Sequence, residues 1–211
     1  GLGDVYKRQG DVMYANLDGK EGVNNGSNTL EDHGDLTIIG NNTPRYNFGL
    51  TLTGAWKGFD FSVFLQGVMK RDYWLDGPYF WGANGGLWQS TAFKEHMDYW
   101  RPEGDPLGAN TNAYYPKPYF NTDKNQKVQS GYLQNAAYCR LKNAQIGYTL
   151  PKTWTRKAAM ESVRVYVSGD NLVTFSGISG VFDPELLGSD WGDGKLYPLQ
   201  RTISIGLNVN F

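Results

Sequence analysis

Residues 197–211 read YPLQRTISIGLNVNF, and the alternation in their second half decides the fold. Ile203, Ile205, Leu207, Val209 and Phe211 share one parity, while Thr202, Ser204, Asn208 and Asn210 share the other. Successive side chains of an extended strand point to opposite faces, so this pattern predicts a strand with one hydrocarbon face and one polar face. The pattern recurs upstream. In residues 46–56 (YNFGLTLTGAW), Tyr46, Phe48, Leu50, Leu52 and Trp56 oppose Asn47, Thr51 and Thr53. Residues 59–70 (FDFSVFLQGVMK) set Phe59, Phe61, Val63 and Leu65 against Asp60, Ser62 and Gln66, and the intervening Lys57 and Gly58 have the length of a hairpin turn. Residues 143–150 and 163–170 alternate in the same way, the first with Ala144, Ile146, Tyr148 and Leu150, the second with three valines. About five antiparallel strands are expected on this pattern.

The connections between the strands are unequal. Two are short, Lys57-Gly58 and residues 151–162, and they alternate with long ones at 71–131 and 174–196. Outer-membrane barrels have short periplasmic turns and long extracellular loops, and their strands turn polar residues to the lumen and apolar ones to lipid. Tyr46, Trp56, Phe59, Tyr148, Tyr197 and Phe211 lie near strand termini, where amphipathic rings prefer the membrane interface. The expected fold is all-β: the C-terminal antiparallel strands of a transmembrane β-barrel in the outer membrane of a Gram-negative bacterium. Half-buried strands of a soluble sheet packed on another partner would alternate similarly, and that alternative stays open at this point.

Composition agrees with strands and turns. Of 211 residues, 27 are Gly and 15% are aromatic, while only 19% are charged. The formal net charge of -1 and the scattered cations offer no basic surface, so nucleic acid is not an expected partner. Cys139 is the single cysteine, which excludes a disulfide framework and a cysteine-based zinc cluster. No apolar run reaches the ~18 residues that a spanning helix needs, and a mean hydropathy of -0.52 suits strands that alternate. No leader peptide opens the chain, so the natural N-terminus is expected to lie upstream. Residues 1–9 (GLGDVYKRQ) are expected to be a translated sequencing-adapter scar, leaving 10–211 for fold reasoning.

Six blocks, taken in order, carry a family resemblance: 10–20 (GDVMYANLDGK), 37–49 (TIIGNNTPRYNFG), 56–68 (WKGFDFSVFLQGV), 132–152 (YLQNAAYCRLKNAQIGYTLPK), 163–172 (VRVYVSGDNL) and 197–211. Together they resemble the SusC/RagA class of TonB-dependent outer-membrane transporters of Bacteroidota. The resemblance implies a barrel of about 22 strands, plugged by an N-terminal domain that this chain does not contain. The chain would supply about the last five strands. It also implies active import of an oligosaccharide or peptide into the periplasm, energised through TonB by way of the missing N-terminal region. A SusD-like surface lipoprotein would close over the barrel, no cofactor would be needed, and no enzymatic chemistry is expected. A glycan-binding or adhesin-like β domain without transport, and a passive porin, are the competing functions.

Phe211, preceded at every second position by Val209 and Leu207, looks like the signal read by the outer-membrane assembly machinery, a role compatible with simple anchoring at the interface. The long connection 71–131 is rich in rings, and Trp74, Tyr79, Phe80, Trp81, Trp88, Tyr99, Trp100, Tyr114 and Tyr115 are candidates for contact with ligand or with a partner lid. The competing role for the same rings is to hold the loop together. A helix is expected around residues 88–100 (WQSTAFKEHMDYW), ending before Pro102. His96 stands beside Glu95 and near Asp98, yet no second histidine lies at ligand spacing, so no metal or catalytic role is assigned. Residues 16–35 (NLDGKEGVNNGSNTLEDHGD) resemble an acidic DxNGDG-like loop of the family, but an insertion separates Asp18 from Asp32; a polar loop and a calcium loop both remain open.

An open sheet with two unpaired edges and a lipid-seeking face is not stable alone in water. Expressed without the rest of its protein, the chain is therefore expected to aggregate in size-exclusion chromatography. A soluble monomer that unfolds cooperatively would contradict the membrane assignment.

Overall fold

The computed structural model describes residues 8–82, 92–119, 124–188 and 194–211. Of the nine-residue stretch expected to be unrelated sequence, residues 1–7 lie outside this set. The chain divides into two compact units: a β-sheet unit from 41–73, 134–187 and 196–211, and a loop unit from the described residues of 1–40, 74–133 and 188–195. Among the described residues no helix is long and apolar enough to cross a membrane, which says nothing about strands.

The β-sheet unit is an antiparallel meander. Strands β1 (Arg45–Trp56), β2 (Phe59–Lys70), β5 (Tyr138–Thr149), β6 (Ser162–Ser176) and β7 (Thr202–Asn210) hydrogen-bond in the order β1-β2-β5-β6-β7. Two short strands, β3 (Asp72–Tyr73) and β4 (Gln134–Asn135), pair with each other where the chain leaves β2 and returns to β5. The β1–β2 turn places Lys57 and Gly58 both at positive φ, 48° and 88°. That is the left-handed geometry that follows the twist of a two-residue hairpin; Gly58 adopts it freely, and Lys57 does so at about 1–2 kcal/mol.

Each strand keeps one apolar face. Leu50, Leu52 and Trp56 on β1 oppose Leu65, Val63 and Phe59 on β2, which in turn oppose Leu141, Ala144 and Tyr148 on β5. The alternation survives two irregularities. Lys142 is an extra residue between Leu141 and Asn143 relative to β2, and Asn171 and Leu172 bulge between Asp170 and Val173 on β6. At Lys142 the single extra residue shifts the phase and returns Leu141 to the face of Ile146, whereas the two extra residues on β6 leave Val173 in phase with Val167. The sequence alternation covers only 143–150 and 163–170, whereas β5 begins at Tyr138 and β6 runs on to Ser176. The bulge at Lys142 reverses the parity within β5, and the irregularity on β6 puts Asn171 where the alternation calls for an apolar residue, in neither case ending the strand. The connection after β6 accordingly starts at residue 177 rather than 174.

The apolar face lies open. Ile205 is 79% exposed and Phe211 89%, and Phe61, Ile146, Val167 and Ile203 are also exposed. Burying such a side chain is worth about 1.5–3 kcal/mol, so a face of this kind calls for an apolar surrounding that the described residues do not provide. The opposite face carries the charges in pairs. Arg164 of β6 reaches across Gly147 of β5 to Asp60 of β2, its Nε donating to the carboxylate at 2.8 Å. Arg140, only 4% exposed, donates to Thr174 Oγ1 at 2.7 Å and to Asp183 at 2.8 Å, and lies 3.2 Å from Glu185. Lys142, aimed by its bulge, reaches Glu185 at 2.9 Å. Asp183 and Glu185 belong to the segment after β6, which packs against the polar face and buries Ile178 and Phe182.

A Cβ on Gly147 would stand 2.5 Å from the Arg164 guanidinium. Gly147→Val is therefore expected to displace Arg164 from Asp60 and to destabilise the sheet by about 1–3 kcal/mol, the usual range for overpacking. Denaturant unfolding of the full-length protein and the variant would measure it.

Candidate functional site

The loop unit is organised around rings, and its regular structure is slight. Helix α1 (Pro78–Trp81) is a single turn, started by Pro78 at a position where its missing N–H costs nothing. The helix expected over 88–100 does not form in its described part. Residues 88–91 lie outside the described set, Lys94–Met97 make one 3-10 turn, and Asp98 leaves helical geometry at ψ 54°. Tertiary pairing overrides local propensity there: Tyr99 bridges Tyr115, Arg101 bridges Asn110, and the Asp98 carboxylate accepts from Asn110 Nδ2 at 2.9 Å and from the Tyr114 N–H at 3.2 Å.

Phe80 is 1% exposed and Trp81 7%, and both meet Tyr115 and Tyr132. Trp81 and Tyr132 have ring centroids 4.9 Å apart, Phe80 and Trp81 5.1 Å, and most pairs are edge-to-face, the arrangement that ring quadrupoles favour. Trp74 flanks Trp81 at 5.8 Å, Tyr79 stacks on Phe93 at 5.7 Å, and Tyr114 meets both Tyr115 and Tyr132. Burial pushes the Tyr132 phenol up to about 12 and raises that of Tyr115 further, so both stay protonated donors at neutral pH. The Tyr132 hydroxyl donates to the Tyr114 carbonyl at 2.6 Å.

His96 is consumed by the framework. Its Nδ1 accepts from the Phe93 N–H at 2.9 Å, and its Nε2 donates to the Phe80 carbonyl at 3.0 Å, which ties α1 to the 3-10 turn. Arg101 covers Tyr99 and donates to the carbonyls of Gly108 and Met97, and Trp100 lies over Gly10, where a Cβ would stand 2.4 Å from the ring. Beside these rings is a cavity of about 310 Å³ lined by Trp81, Phe93, Met97, Tyr115, Pro118 and others. That is the lower end of the size range of small-molecule sites. The indole Nε1 of Trp81 is buried with no hydrogen-bond partner among the described residues.

Of the nine candidate rings, then, Phe80, Trp81, Trp74, Tyr114 and Tyr115 come together in one cluster. Tyr79 joins it through Phe93, Tyr99 and Trp100 sit on the neighbouring bridges, and Trp88 lies outside the described residues. Tyr132 belongs to the cluster without having been a candidate. It stands at the end of the long connection, just before β4, and only its being a ring in that connection could have pointed to it.

The acidic stretch 16–35 closes on itself. Asp35 accepts from the N–H groups of Asp18 at 3.1 Å and Asn24 at 2.8 Å, and Asp32 accepts from the Ser27 N–H and hydroxyl. These bonds hold both carboxyls below their ordinary value. Among the described residues no three His, Cys, Asp or Glu side chains are grouped to hold a metal ion.

No family model matches the chain. The chain is 30% identical over 96% of its length to the TonB-dependent receptor P3 of Formosa agariphila, and 26% identical over 89% of its length to the TonB-dependent receptor SusC of Bacteroides thetaiotaomicron. Its structure is similar to that of the RagAB peptide transporter, with a TM-score of 0.62 and 26% identity over 82% of this chain and 18% of that one. The homologues of this chain are TonB-dependent receptors of the SusC and RagA type. The chain spans 19% of the length of the P3 receptor and 17% of SusC. These TonB-dependent receptors are outer-membrane proteins and not enzymes.

Asp11 anchors the start of the loop unit. Burial acts to raise its carboxyl, but hydrogen bonds from Lys124, the Arg8 N–H and Asn125 outweigh burial and bring it down from 3.8 to about 2. Because the folded value is depressed, this anchor is present in full above pH 3.8, weakens below it and is lost as pH falls through about 2. Amide exchange in residues 8–14 is thus expected to stay protected, after correction for intrinsic rates, from neutral pH down to about 4. Asp11→Asn should lose that protection throughout the range.

Proposed function

We propose that the protein containing this chain is an outer-membrane importer of oligosaccharide or peptide nutrients, energised through TonB, and that residues 10–211 supply the last strands of its barrel. One observation carries this reading: a five-stranded antiparallel meander leaves a continuous apolar face exposed and keeps its charges paired on the other face. Lipid would cover the first face, and the second would line the lumen, closed by strands from the rest of the protein. Short turns alternating with long connections then make the Lys57-Gly58 turn periplasmic and the long connections extracellular.

On this reading the loop unit meets the ligand or a SusD-like surface lipoprotein, which the likeness to SusC and to the RagAB peptide transporter supports. Phe80, Trp81 and Tyr115 would form its framework, and Trp74, Tyr79, Tyr99, Trp100 and Tyr114, which keep accessible surface, would make the contacts, with Trp88 a further candidate. TonB would act through the missing N-terminal region. Leu207, Val209 and Phe211 would serve the outer-membrane assembly machinery as its recognition signal.

Photolabelling of the full-length receptor from within the bilayer tests the reading. Ile203, Ile205 and Leu207 are expected to be modified, and Thr202, Ser204 and Asn208 to be spared. Uptake of the cognate nutrient should disappear in cells lacking TonB. Labelling of the opposite parity, or uptake indifferent to TonB, would overturn it, the latter in favour of a passive pore.

A further inference from the structure

The turn end of the sheet gathers several exposed cations that have no acidic partner among the described residues. Thr149 N–H donates to the Gly58 carbonyl at 2.8 Å, Leu150 N–H to Val163 at 2.9 Å, and Glu161 N–H to Asn210 at 2.8 Å, so residues 57–58, 150–161 and 210–211 share one rim. On that rim Lys57, Lys152, Arg156 and Lys157 are exposed, and among the described residues none of them makes an ion pair. Glu161 is the single carboxylate of residues 150–161. Elsewhere on the sheet the cations Arg140, Lys142 and Arg164 each meet an acidic partner. Four such cations gather at this end, at position 57 and within 152–157.

Rings accompany them. Trp154, in helix α2 (Lys152–Thr155), is 63% exposed while its neighbour Thr155 is buried, so the short helix is held down by one side and shows its indole on the other. Trp56 is also exposed, with Lys57 Nζ 4.8 Å from its ring centroid, and Phe59 packs on Tyr148 at 4.5 Å beside it. These rings continue the exposed apolar face to its edge, where the cations begin. Hydrocarbon, then indole, then ammonium and guanidinium is the order of depth in a lipid leaflet, because indole partitions to the headgroup level and long basic side chains reach for the phosphates.

We infer that this rim, built from Lys57, Lys152, Trp154, Arg156 and Lys157, binds the phosphate headgroups of anionic phospholipid in the leaflet it faces. The inference rests on the membrane reading above and adds a lipid preference to it. A soluble acidic protein would satisfy the cations, but not the unbroken passage from them into the apolar face. Attraction of clustered basic residues to anionic headgroups falls off with ionic strength, so the binding is salt-sensitive.

The test uses the full-length receptor in nanodiscs of phosphatidylcholine alone or with added phosphatidylglycerol. Phosphatidylglycerol is expected to raise the thermal midpoint by a few degrees at low salt, and the increment should vanish in about 1 M salt, where the Debye length is about 3 Å. The Lys152→Gln/Arg156→Gln/Lys157→Gln variant should match the wild type in phosphatidylcholine, lose the increment, and retain less than half the phosphatidylglycerol seen on the wild type by native mass spectrometry. An increment equal in both proteins, or absent from both, overturns the lipid site while leaving the membrane reading intact. Failure of the wild type to enter nanodiscs at all would instead sink the membrane reading, and the lipid site with it.

Discussion

A strand that shows only hydrocarbon on one face must place every polar group on the other, and a single slip of register reverses the two. That constraint governs the β-sheet unit. Two bulges fall within its central strands, at Lys142 and at Asn171-Leu172, and together they hand the apolar set from Val63, Ile146 and Val167 on to Leu65, Leu141 and Val173 without a break. The same bulge turns Lys142 to the side of Arg140, so that both reach Glu185. Register, charge pairing and the continuity of the apolar face are thus one problem with one solution.

The two units answer different demands. In the sheet, side chains that would form a core in a soluble protein stay uncovered, and stability depends on what surrounds the molecule. The loop unit instead builds a core of its own from rings, because a long connection with little regular secondary structure has to bury apolar area between side chains rather than between layers. Edge-to-face contacts among Phe80, Trp81, Tyr115 and Tyr132 supply that core, and His96 and Asp98 fix the backbone around it. A scaffold of this kind can hold other rings at its surface.

Much of the sheet was legible because alternation is a local signal. Ile203, Ile205 and Leu207, and Phe59, Phe61 and Val63, announced their strands and faces by spacing alone, and the hairpin at Lys57-Gly58 followed from its length. The early part of β5 and the late part of β6 were not legible, since a bulge hides the period while the ladder continues. The helix expected over 88–100 misled for a related reason: propensity favoured it, but the pairing of Tyr99 with Tyr115 and of Arg101 with Asn110 depends on residues remote in sequence. For the candidate rings, sequence could name the types but not rank them by depth, because Phe80 and Tyr114 look alike until the cluster is assembled. Tyr132 escaped notice because it stands at the margin of the connection.

Arg140 has a consequence for how such a protein can move. Its guanidinium is held between Asp183 and Glu185 with almost no access to water, and removing a partner from a buried charge is among the more destabilising changes a fold can suffer. Residues 178–187 therefore cannot swing away from the sheet as a gate would; they travel with it like panelling nailed to a wall. Any rearrangement that keeps the guanidinium paired moves residues 178–187 and the sheet as one piece.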